Sequence, residues 1–187
     1  MKAATGIEDP LDWRMAVGAV GTLRTFNEAG VLESADVHVA QRISVLAKET
    51  DDTVALAVAL AARALRGGSV CVDLTTVAAD SGAPELSWPQ PGAWLAALRA
   101  SPLLGEPPVL RLYQDRLLYL DRYWREEEQV CADLLALSAP TSGVDVADYA
   151  RLFPPGYHEQ RAAAEIAVSQ AVTVLTGGPG TGKTTTV

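Results

Sequence analysis

The chain is short of cysteine, histidine and basic side chains, and it contains no long apolar run. Its two cysteines, Cys71 and Cys131, have no C-x-x-C spacing and no companion histidine. That excludes a recognisable zinc or redox motif and leaves them to be read as reduced, buried thiols of a cytoplasmic protein. The longest apolar stretch, Val54 to Ala62, is closed by Arg63 and falls well short of the roughly 20 residues that cross a bilayer. No membrane segment is expected. Met1 to Pro10 carries Glu8 and Asp9 and lacks an apolar core, so no secretory leader is expected either. Only 15 Lys and Arg stand against 23 Asp and Glu, a formal net charge of −8 with no basic run. Nucleic-acid affinity rests heavily on cation contacts to phosphate, so this stretch is not expected to hold DNA by itself.

What remains describes an ordinary globular protein. Hydrophobic residues make up 49% and charged residues 20% of 187 positions, enough for one domain plus a piece of a second. The sharpest local signal is Gly177-Gly178-Pro179-Gly180-Thr181-Gly182-Lys183-Thr184, which matches the phosphate-binding pattern G-x-x-x-x-G-K-[ST] and is followed by Thr185. Such a loop functions between a buried strand and a helix, because its amides must converge on an anion at the helix start. Ala171 to Thr176, a short run rich in β-branched residues, is expected to be that strand. In this pattern Lys183 is the catalytic cation reaching the β- and γ-phosphates of ATP, and Thr184 is the Mg²⁺ ligand.

The preceding residues predict helices. Asp9-Pro10 reads as a cap and first helical position, with Val17, Val20 and Leu23 continuing a stripe to about Gly30. Ser34 or Asp36 caps a second helix to Lys48, and Asp51 or Asp52 a third, from Thr53 to Arg66, ended by Gly67-Gly68. The third is almost all Ala, Val and Leu, so it is expected at the centre of a bundle. Val70 to Val72 is a brief extended segment, and a short helix around Trp94, Leu95 and Leu98 stops before Pro102. Val109–Tyr113 and Leu117–Leu120 predict a hairpin turning at Gln114-Asp115-Arg116. A longer helix from about Asp121 places Tyr123, Val130, Leu134 and Leu137 on one face, with Glu126 to Glu128 solvated near its start. Tyr113, Tyr119, Tyr123 and Trp124 are read as packing of hairpin on helix rather than as a base-stacking surface, since no basic groove accompanies them.

Ser138 to Gly143 is the expected boundary. The fold class is therefore a mainly α N-terminal domain with a small β-hairpin, residues 1–140, followed by the truncated start of an α/β P-loop (RecA-like) motor domain, residues 141–187. Within the latter, Val146 to Leu152 predicts a short helix, Pro154-Pro155-Gly156 a break, and His158 to Gln170 a helix leading to the loop.

Gln160 lies on that last helix, where superfamily 1 helicases carry a glutamine that reads the adenine edge by donating and accepting at once. Gln160-Arg161-Ala162-Ala163 together with Gly177 to Thr186 resembles the start of a RecD-type helicase. Gly68 to Leu74 and Leu118 to Trp124, with Glu126 to Glu128, extend the resemblance into the N-terminal region of that family, the alpha subunits of exodeoxyribonuclease V. The resemblance implies an ATP-driven 5′-to-3′ motor of a RecBCD complex in double-strand break repair. It also implies docking of the N-terminal domain on RecC, with RecB as the other motor and nuclease, and contact with DNA through the later motor parts. ATP and Mg²⁺ are the implied cofactors, with Gln160, Gly177, Gly178, Pro179, Gly180, Thr181, Gly182, Lys183, Thr184 and Thr185 as nucleotide-binding residues.

Two other readings stay open at this point: a stand-alone RecD-like helicase, although no paired-glycine hairpins precede the motor, and an unrelated P-loop ATPase, although those usually begin near their loop. The family's acidic Mg²⁺-holding motif and arginine finger are expected beyond Val187, so an interaction module is favoured over an active enzyme for residues 1–187 by themselves. Phosphate release from ATP by this stretch should stay at background in a coupled assay; turnover that disappears in Lys183→Ala would contradict the reading.

Overall fold

The computed structural model describes residues 6, 7, 9, 11–138 and 152–186. They form α1 (Gly21–Glu28), α2 (Ser34–Ala47), α3 (Asp52–Arg66), β1 (Cys71–Asp73), α4 (Val77–Asp80), α5 (Pro91–Ala100), a 3-10 turn (Pro102–Leu104), β2 (Leu110–Tyr113), β3 (Leu117–Leu120), α6 (Asp121–Leu137), α7 (His158–Ser169) and α8 (Lys183–Thr186). The chain divides into two compact units, Met1–Glu126 and Glu127–Val187. The boundary expected at residue 140, and the helix expected over Val146 to Leu152, fall almost wholly on residues 139–151, outside those described.

Helix α3 organises the first unit. Its side chains from Val54 to Ala61 are buried without interruption, as an all-round apolar helix requires. α1, α2, α5, β1 and β3 pack around it. Its start is held by the Asp51 carboxylate, which accepts from the Thr53 amide at 2.8 Å and the Thr53 hydroxyl at 2.6 Å. Gly67 caps the other end. From α5, the buried Trp94 donates its indole N–H to the Thr53 carbonyl at 2.7 Å, which fixes that helix across the start of α3.

The helix expected from Pro10 to Gly30 is much shorter. Residues 11–20 form turns, Val17 and Val20 are exposed, and helix begins only at Gly21. Gly21 sits at φ +58°, where a Cβ would lie 2.8 Å from Asp52 Oδ2, so the backbone kinks where it passes closest to α3. Asn27 supplies the hydrogen bonds that a longer helix would have made internally. Its buried side chain accepts from the Ala16 amide and donates to the carbonyls of Arg14 and Leu32, all at 2.8 Å.

Helix α2 starts one residue earlier than a Ser34 cap would give and three earlier than an Asp36 cap: Glu33 is its N-cap, and the Glu33 amide donates to Asp36 Oδ2 at 2.8 Å. Asp36 is 2% exposed and is neutralised by Arg66 from the last turn of α3, at 2.9 Å. Removing Arg66 would leave the buried Asp36 carboxylate uncompensated, which is why the pair locks α2 to α3.

The hairpin forms as expected, with Gln114 and Asp115 both at positive φ in its turn. It gains a partner that local pattern did not indicate. β1 pairs antiparallel with β3, Val72 opposite Leu118, giving a three-stranded sheet ordered β1-β3-β2. Leu110 and Leu118 enter the core, while Tyr119 is buried on the other side of the sheet against Trp124 of α6, ring centroids 5.1 Å apart. Tyr113, itself exposed, also meets Trp124, at 5.4 Å, so hairpin and helix pack through Tyr113, Tyr119 and Trp124, while Tyr123 instead lies under the Arg122 guanidinium.

The expectation of two buried thiols is corrected. Cys71 is half-buried and Cys131 exposed, because α6 buries none of its side chains. Val130, Leu134 and Leu137 are exposed on that helix. No helix among the described residues is long and apolar enough to cross a membrane.

In urea denaturation, Leu56→Ala, which empties a fully buried site, should cost about 2–5 kcal/mol, and Asp51→Ala about 1 kcal/mol through loss of the cap. The Thr53 hydroxyl holds the Asp51 carboxyl below its usual range, so the cap's contribution is complete above the ordinary aspartate pKa and drains away as pH falls below it. A pH profile in which wild type and Asp51→Ala fail to converge in acid would contradict this.

Candidate functional site

The second unit carries the loop motif. Pro154-Pro155-Gly156 turns the chain, as expected, with the Tyr157 amide returning to the Pro154 carbonyl at 3.2 Å. Helix α7 follows, its exposed face tied by Arg161 to Glu165 at 2.8 Å, one helical turn on. Gln160 stands in its first turn and is half-buried.

Residues 171–176 do not form the expected strand. A strand exists only by pairing, and no ladder among the described residues includes this run. Val174, which a central strand would bury, is 80% exposed. The apolar pattern is present, but no neighbouring strand among the described residues covers it.

Gly177 to Gly182 nonetheless folds into a compact loop. Thr181 closes it by donating its hydroxyl to the Gly178 carbonyl at 2.9 Å. The Lys183 ammonium turns back and donates to the carbonyls of Gly177 and Gly178, the latter at 2.7 Å. Gly182 sits at φ +78°, and a Cβ there would come within 3.1 Å of Gln160 Nε2. The left-handed backbone favours glycine there, and a Cβ would push the Gln160 amide back by a few tenths of an ångström. Gln160 donates from Nε2 to the Thr181 carbonyl at 3.1 Å, so the two residues singled out on separate segments do meet.

A cavity of about 190 Å³ lies at this junction, lined by Gln160, Gly177, Thr181 and Lys183 together with Glu159 and Ala163 of α7 and Leu175, Thr176 and Thr186. Gly178, Pro179 and Gly180 are exposed at the loop's outer side, and Thr184 is exposed at the start of α8, which packs on α7. The side chain of Thr185 lies outside those described. Motif reading passed over Glu159 and quoted Ala163 beside Gln160 without a site role; Ala163 lies three positions from Gln160, on the same helix face, and that spacing is visible in the sequence. Glu159 and Lys183 are the ionisable groups lining the cavity, which makes it a mixed-charge site centred on one lysine.

Comparison with known proteins matches residues 28–119 to the family described as RecBCD enzyme subunit RecD, N-terminal domain. Over 94% of its length the chain is 68% identical to the RecBCD enzyme subunit RecD of two Mycobacterium tuberculosis strains, of which it covers 31%. Over 85% it is 69% identical to the protein of the same name from Mycolicibacterium smegmatis, of which it covers 28%. The chain therefore spans less than a third of the length of these relatives. A match to the N-terminal domain and 68–69% identity over most of the chain carry one conclusion: this chain belongs to the RecD family and corresponds to its N-terminal region.

Proposed function

We propose that the chain supplies the N-terminal part of an ATP-dependent 5′-to-3′ DNA helicase subunit in a RecBCD-type exodeoxyribonuclease V that acts in double-strand break repair. In this reading residues 1–140 dock on RecC in a complex whose other motor is RecB, and residues 141–187 begin a RecA-like ATPase domain. DNA is gripped by the rest of the motor rather than by these acidic residues, whose net charge is −8.

The observation that carries the nucleotide reading is the Gln160 contact to the loop carbonyl of Thr181, 3.1 Å, because it joins a base-reading amide to a phosphate loop. The residues fit ATP in kind. Gln160 can donate and accept against an adenine edge, the loop amides leading into α8 suit phosphate, and Lys183 is the cation of the cavity. Thr184, exposed beside it, is the hydroxyl for Mg²⁺. Bound ATP would contribute the phosphoanhydride whose cleavage drives a motor, and this stretch's own part is to hold and orient it. The docking reading is supported by the relatives' printed name, which makes each of them a subunit of a complex.

Titration of a fluorescent ATP analogue with Mg²⁺ should saturate; Lys183→Ala should weaken binding at least about tenfold, the worth of one strong charge-assisted contact. Gln160→Ala should lower the preference for ATP over GTP. Binding unchanged in Lys183→Ala would overturn the nucleotide site. Failure of immobilised RecC to retain the chain, with nucleotide binding intact, would overturn the docking role alone.

A further inference from the structure

A second cavity lies in the first unit, at the end of α3 beside β1 and α4. It measures about 430 Å³ and is lined among others by Arg63, Arg66, Ser69, Cys71, Asp73 and Asp80. Arg63 and Arg66 are three residues apart, on one face of the helix end where its dipole favours cations. Their circumstances differ. Arg66 is answered by Glu33 and Asp36, each at 2.9 Å. Arg63 makes no hydrogen bond or ion pair with any described residue, only a longer-range attraction to Asp36, while burial and then the Arg66 charge push its pKa down. Arg63 is half-buried and its guanidinium opens to the cavity with no protein partner among the described residues, and its planar fork matches the two oxygens of a carboxylate.

From this geometry we infer that Arg63 makes the cavity a receiving site for a single carboxylate group, carried by an acidic side chain of a polypeptide or by a small organic acid. Asp73 is already engaged, by Arg116 at 3.0 Å and by the Thr75 hydroxyl at 2.6 Å. Asp80 is exposed in the same wall and carries no ion pair to a described residue. A single guanidinium without an ion pair matches one carboxylate, and the Asp80 carboxylate in the same wall disfavours a more highly charged phosphate or a nucleic-acid backbone. The cavity is also several times larger than a carboxylate needs, which leaves room for the chain that bears it.

Cys71 lines the cavity and Cys131, on the second unit, does not, so the two thiols give a built-in reporter and control. Alkylation by a neutral reagent should be slowed at Cys71, and not at Cys131, by N-acetyl-glutamate N-methylamide, with a saturable shift of the Arg63 Nε–H resonance. The uncharged N-acetyl-glutamine N-methylamide should do neither. Tighter binding of the peptide-like acid than of propionate would assign the carboxylate to a polypeptide, and equal binding would assign it to a small acid. Arg63→Gln should weaken binding at least about tenfold and Arg63→Lys less. The inference is overturned if the glutamine analogue protects equally, if Arg63→Gln binds unchanged, or if inorganic phosphate or an oligonucleotide binds more tightly than the acid. The glutamine comparison needs no variant, so it decides the matter even where a substitution unfolds the chain.

Discussion

Burial of the middle of α3 is the constraint on which the first unit depends. Eight successive residues, Val54 to Ala61, are withdrawn from water, so the helix has no face of its own to offer solvent. It must be enclosed by other elements, and the alternation of alanine with leucine and valine lets them approach closely on every side. The charged groups are pushed to its two ends. Asp51 and Asp52 stand at the start, Arg63 and Arg66 at the finish, each in the orientation that the helix dipole favours.

Enclosure creates polar obligations, and four side chains meet several of them. Asn27 satisfies an amide and two carbonyls where the chain departs from helix, Asp36 and Arg66 join α2 to the end of α3, and Trp94 reaches the Thr53 carbonyl from α5. Each lies in the core or at its edge and spends its capacity on a specific neighbour. Arg63 is the exception on the same helix, half-buried without such a neighbour among the described residues, and that asymmetry distinguishes the cavity beside it.

The loop of the second unit follows a different logic. Its shape is held by local contacts: the Thr181 hydroxyl on the Gly178 carbonyl, the Lys183 ammonium on two carbonyls, and a glycine where Gln160 approaches. Local contacts of this kind are encoded in a few adjacent residues, so the motif is recognisable in the sequence. The run before it is not similarly self-sufficient. Ala171 to Thr176 has a strand's composition, but a strand's hydrogen bonds belong to a neighbour.

The sequence by itself determined the features that depend on nearest neighbours in the chain. The span of α3 with its Asp51 cap, the hairpin turn at Gln114-Asp115, and α7 after the proline break were legible because capping, turn geometry and helical period act over a few residues. Gln160 and the loop were legible as separate motifs. Only the tertiary structure decided the rest. It shortened α1 through the passage of Gly21 beside Asp52, added β1 to the hairpin, exposed Cys131, and brought Gln160 onto the Thr181 carbonyl. It also left Arg63 without a close partner while giving Arg66 two. These are matters of which distant residues share a surface, and burial and hydrogen-bond satisfaction settle them only once the chain has closed around α3.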